Sequence, residues 1–99
     1  METKEIQKLA AEIVDKIDEK FNIDRDIQLN LSQLLEELGE LARVVNSEKL
    51  RNKIPEKGKL EDEFADVFLQ LAKLADKMGV DLEKSTLDKI EVLKKWHFV

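Results

Sequence analysis

Leu34-Leu35-Glu36-Glu37-Leu38-Gly39-Glu40-Leu41-Ala42 is the stretch on which the reading of this chain turns, and Glu63-Phe64-Ala65-Asp66 answers it further on. Residues three or four apart on a helix are neighbours on one face, so Glu36 and Glu37 both stand beside Glu40, and Glu63 stands beside Asp66. Like charges so placed cost an isolated helix roughly 0.2–0.5 kcal/mol per pair. Neither Glu36 nor Glu37 has a Lys or Arg three or four residues away, whereas Glu12 is followed by Lys16 at the usual spacing of a solvated face. Both clusters lie inside their helices, beyond the relief that an N-terminal dipole gives. A plain solvated acidic face is one reading. The other is a shared divalent cation, because hard ions such as Mg²⁺ are held by a few carboxylates together with substrate phosphates.

Around these clusters the apolar periodicity predicts four long helices and an all-α chain. Ile6, Leu9, Ala10, Ile13, Val14 and Ile17 mark an amphipathic helix from Glu2 to about Glu19. Asn22, Asp24 and Asp26 make a turn, and Leu31, Leu34, Leu35, Leu38, Ala42 and Val45 stripe a second helix over Ile27–Val45. Gly39 in its middle costs about 1 kcal/mol relative to Ala, which a close neighbour or simple tolerance explains. Asn46 to Gly58 reads as a basic loop with one short helical turn near Glu48 to Arg51, either a solvated connection or an element that closes over a polyphosphate. The third long helix is expected from Lys59 to Met78 with Gly79 as a left-handed cap. Its apolar residues take more than half its circumference, more than one small chain covers, so a second subunit is expected there. The narrow arc left over holds Glu63, Asp66, Gln70 and Lys73. Asp81 caps the last helix, which reaches about Lys95. The tail Lys94-Lys95-Trp96-His97-Phe98-Val99 is basic and aromatic, a packed end or part of a nucleotide pocket.

A chain of 99 residues holds one domain, residues 1–99, and its 42% apolar and 39% charged content suits amphipathic helices. Acidic side chains outnumber Lys and Arg by 22 to 17, giving a net charge of −5. That balance argues against nucleic-acid polymers and anionic membranes as partners. The absence of cysteine excludes a disulfide scaffold, thiol catalysis and zinc–thiolate sites. With neither a signal-peptide core nor about 20 uninterrupted apolar residues, the expected location is cytoplasmic.

Glu36-Glu37-Leu38-Gly39-Glu40, followed after an interval by Glu63-Phe64-Ala65-Asp66, resembles the EExxE…ExxD signature of the MazG-like, all-α nucleoside triphosphate pyrophosphohydrolases. Gly79-Val80-Asp81-Leu82-Glu83 resembles that family's approach to its last helix, and the similarity runs from about Leu29 to Lys95. The resemblance implies an all-α, four-helix-bundle-like protein, homodimeric or homotetrameric, that hydrolyses the bond between the α- and β-phosphates, giving a nucleoside monophosphate and pyrophosphate. By motif position it makes Glu37, Glu40, Glu63 and Asp66 the ligands of Mg²⁺, with Mn²⁺ as a possible substitute, and Glu36 the residue that orients or deprotonates water. It also gives Lys89, with Lys95 or Lys94, contacts to phosphate, while Leu93 stands where some relatives carry asparagine. Such chemistry needs no protein nucleophile. Two other functions fit the same residues: a phosphoribosyl-ATP pyrophosphohydrolase, and a non-catalytic helical oligomerisation or regulatory module.

Overall fold

Local capping chemistry sets the ends of most helices in the computed structural model, which describes residues 2–97. The helices are α1 (Thr3–Phe21), α2 (Ile27–Val45), α3 (Ser47–Arg51), α4 (Lys57–Lys77) and α5 (Leu82–His97), with no strand among the described residues. The all-α expectation holds, and α2 has the predicted bounds. Phe98 and Val99, part of the predicted aromatic tail, lie outside the described residues.

Asp26 starts α2 by accepting a 2.7 Å hydrogen bond from the Leu29 N–H, and Asp81 starts α5 by accepting one of 3.1 Å from Lys84 N–H. At the other end of α4 the Gly79 N–H donates to Asp76 O at 3.1 Å and the Val80 N–H to Ala75 O at 2.8 Å. This paired closure requires a left-handed residue, and Gly79 supplies it at φ 72°. α1 closes the same way, with Asn22 at φ 54° in the left-handed position, so the helix runs to Phe21 instead of stopping at Glu19. α4 begins two residues earlier than predicted, at Lys57, and Gly58 falls in its first turn. Glycine costs little there, because the first-turn N–H groups have no intrahelical partner to lose.

α4 is the central element, packed most extensively on α2 and next on α1, while α5 leans on α1. α2 and α4 are antiparallel: Asn30 meets Gln70, and further along α2 Glu37 meets Glu63 and Asp66. At about 100° per residue, Glu63, Asp66, Gln70, Lys73 and Lys77 fall within about 80° of one another on α4. That polar arc, which the sequence reading left as the remainder of α4, faces inward. Glu63 and Lys73 are buried, at 4% and 5% exposure, while Phe64 and Met78 on the apolar side are each 56% exposed. The buried apolar residues are correspondingly small or few: Ala10, Ala11, Val14, Leu34, Val44, Ala72 and Ala75. Ile13, Leu35 and other members of the predicted stripes stay open. The radius of gyration, 16.1 Å, exceeds the roughly 13 Å of a compact domain of this length.

Polar contacts close one end of this inward seam. Arg25 donates from Nε and Nη2 to the two carboxylate oxygens of Asp18, at 2.7 and 3.0 Å, with both side chains largely buried. It also donates to the side-chain oxygens of Gln33 and Gln70, so one guanidinium joins α1, α2 and α4. Asn30, fully buried, donates to Gln70 O at 3.3 Å, and the buried Lys73 ammonium pairs with Asp15.

Candidate metal centre

About two turns along α2 from Asn30, the character of the seam reverses. Glu37 of α2 and Glu63 and Asp66 of α4 each direct a carboxylate oxygen to one place, and those three oxygens lie within 4.8 Å of one another. The helical spacing explains the convergence. Asn30, Gln33 and Glu37 lie within about 60° of one another on α2 and therefore share the face that α4 covers.

Unit charges near 5 Å repel by about 3 kcal/mol at an effective dielectric constant of about 20. Among the described residues, Glu37 Oε2 and Glu63 Oε2 are buried and accept no hydrogen bond. Burial pushes the Glu37 carboxyl above its ordinary range, and the charges of Asp66, Glu40, Glu63 and Glu36 push it further. Burial likewise raises Asp66, aided by Asp62 and Glu63 and opposed by Lys59. The exposed Lys59 ammonium stands 3.6 Å from the buried Glu63 carboxylate, an i,i+4 pair that offsets part of this negative charge. Orphaned carboxylate oxygens that converge from two helices suit a hard divalent cation, which accepts oxygen ligands and offsets their repulsion.

Of the residues singled out in the sequence, Glu37, Glu63 and Asp66 are therefore brought together. Glu40 is exposed and outside the three-oxygen cluster, although its charge reaches Glu37 and it lines a cavity with Glu63. Glu36 is exposed, outside both the three-oxygen cluster and the cavity lining, and reaches Glu37 only through its charge. Lys89 and Lys95 ride on the exposed side of α5, which packs on α1. Neither lysine lines the cavity or pairs with a carboxylate of the cluster among the described residues. The cavity, about 540 Å³, is bounded instead by Arg43, Arg51, Lys53 and Lys59 beside Glu40 and Glu63. Arg51 and Lys53 were legible only as part of a basic loop, and Arg43 and Lys59 only as helix residues. Their position at the carboxylate end follows from the antiparallel α2–α4 pairing, which sequence spacing does not reveal.

An all-α chain with converging, unsatisfied carboxylates on an antiparallel helix pair and a cation-rimmed cavity beside them has the parts of a metal-assisted hydrolase of phosphate compounds. The sequence model of the MazG nucleotide pyrophosphohydrolase domain matches residues 25–98, and the chain belongs to that family. It is thus a nucleotide pyrophosphohydrolase domain, a hydrolase acting on phosphoric anhydrides, in a family that is metal-dependent in general. No curated protein and no solved structure gives a match. Among the described residues no helix is long and apolar enough to cross a membrane.

Proposed function

We propose that this protein hydrolyses a nucleoside triphosphate between its α- and β-phosphates with Mg²⁺ held by Glu37, Glu63 and Asp66, releasing a nucleoside monophosphate and pyrophosphate. The observation that carries this reading is the meeting of those three carboxylates across the α2–α4 seam with two buried oxygens left without partners. Glu40 supplies a further ligand from the cavity wall. Magnesium bound there would neutralise polyphosphate charge and acidify water, with Mn²⁺ able to substitute. Water attacks the α-phosphorus, the bond to the bridging oxygen breaks, and the electron pair leaves with pyrophosphate. Glu36, exposed and next in sequence to Glu37, takes the proton that the attacking water gives up. Lys89 and Lys95 keep the phosphate-binding role of the family pattern only where a second copy brings its α5 to this cavity.

The same reading makes the working protein a homo-oligomer in the cytoplasm. Ile6, Leu9, Ile13 and Ile17 line one side of α1, all exposed, and the protomer is too open to bury them itself. Purified protein is expected to release pyrophosphate from at least one member of a panel of canonical and damaged nucleoside triphosphates in magnesium, and to stop in EDTA. Sedimentation is expected to show a dimer or tetramer. Intact assembly with no pyrophosphate released from any substrate, phosphoribosyl-ATP included, would leave a non-catalytic module in its place.

A further inference from the structure

The cavity beside the carboxylates has a basic side that the cluster itself does not use. Arg43 lies six residues beyond Glu37 on α2, about 9 Å along the axis, and Arg51 and Lys53 lie on α3 and the connection after it. All three are exposed, and among the described residues none forms an ion pair, whereas Lys59 is held by Glu63. Glu56 also borders the space, so the cations outnumber the acids not already committed to the cluster. At about 540 Å³ the cavity falls within the roughly 300–1,000 Å³ usual for small-molecule sites.

We infer that Arg43, Arg51 and Lys53 form a subsite for the terminal two phosphates of the substrate, and so make this protein discriminate by phosphate-chain length. The inference rests on the proposed hydrolysis and extends it. With the α-phosphorus at the carboxylate end, the rest of the chain has one cation-lined direction to take, toward α3 and the connection that follows it. Arginine forks hold phosphate oxygens two at a time, so a diphosphate end group gains contacts there that a single phosphate does not. The same subsite binds free pyrophosphate after the bond breaks, which makes that product the stronger inhibitor.

The test is calorimetric titration of inorganic pyrophosphate into wild type, R51Q/K53Q and the distant control K20Q/K84Q in magnesium, alongside KM values for a nucleoside triphosphate and its diphosphate. R51Q/K53Q is expected to weaken pyrophosphate binding at least tenfold and to narrow the triphosphate-over-diphosphate preference by a similar factor, with helicity unchanged. The control is expected to stay within twofold of wild type. Pyrophosphate affinity retained in R51Q/K53Q, or lost equally in K20Q/K84Q, overturns the subsite. Wild type that hydrolyses a triphosphate yet binds no pyrophosphate overturns the subsite alone. Wild type that hydrolyses none overturns the hydrolytic reading beneath it.

Discussion

Toward the start of α2, Arg25, Asp18, Gln33 and Gln70 satisfy one another in a buried network. Further along the same seam, Glu37, Glu63 and Asp66 confront one another with two oxygens unpartnered. Both regions put polar groups between the same two helices, and both are expensive to desolvate. In the first, the cost is offset by protein partners, with Asn30 Oδ1 the one buried acceptor left over there among the described residues. In the second, among the described residues, only the exposed Lys59 offsets any of it. The contrast separates two kinds of buried polarity: one end ties α1, α2 and α4 together, and the other leaves like charges facing one another.

The strongest way to break the comparison is to remove the partner at the satisfied end. Arg25→Met leaves the buried Asp18 carboxylate alone, and losing one member of a buried pair costs about 3–5 kcal/mol. Urea unfolding at fixed protein concentration is expected to show that loss; a change below 1 kcal/mol would place the network outside the fold's support. At the other end, Glu63→Gln or Asp66→Asn is expected to lower pyrophosphate release at least 100-fold, about 3 kcal/mol of barrier. Neither change should destabilise the metal-free fold, because each relieves like-charge repulsion, and a thermal melt in EDTA checks this.

A smaller effect follows from the raised Glu37 and Asp66 carboxyls. Below their ordinary values, 4.5 and 3.8, folded and unfolded chains are both protonated. As pH rises through that range the unfolded chain releases its protons first, so these groups lower stability progressively until pH passes their raised folded values. In EDTA the stability of wild type relative to Glu37→Gln is therefore expected to fall with rising pH across this window, and magnesium is expected to remove the slope. The smallest expected change is at Gly39, on the far side of α2 from the seam, where an added Cβ meets nothing within 4 Å. Gly39→Ala is expected to stabilise the protomer by about 0.5–1 kcal/mol with turnover unchanged. Lost assembly in sedimentation would instead show a second copy packed against that glycine.

What could be read from the sequence was mostly what local chemistry decides. The turn through Asp26, Asp81 as a cap, Gly79 as a left-handed stop and the bounds of α2 each depend on a handful of adjacent residues. The grouping of Glu37 with Glu63 and Asp66 came from the family resemblance and from unneutralised charge. Which arc of α4 turns inward was not legible, because apolar residues occupy most of its circumference and periodicity then has no single answer. Burial of Lys73 and half-burial of Gln70 beside α1 and α2 is a tertiary choice, made by Asp15 of α1 and by Arg25 in the connection between α1 and α2. Lys89 and Lys95 drew attention by position in a family pattern, whereas Arg43, Arg51 and Lys53 stand beside the carboxylates only once the chain has doubled back.

Gln7 is buried in α1, and its one amide holds both sides of the corner between α4 and α5, donating to Val80 O at 2.7 Å and accepting from Leu82 N–H at 3.0 Å. α1 lies outside the stretch that matches the family, which begins at residue 25. A fragment trimmed to that stretch would lose this clamp, the Asp18 partner of Arg25 and the Asp15 partner of Lys73 in a single cut. For anyone dissecting or transplanting the hydrolase, the piece to carry is set by who holds the corners, and here the keeper sits upstream of the signature.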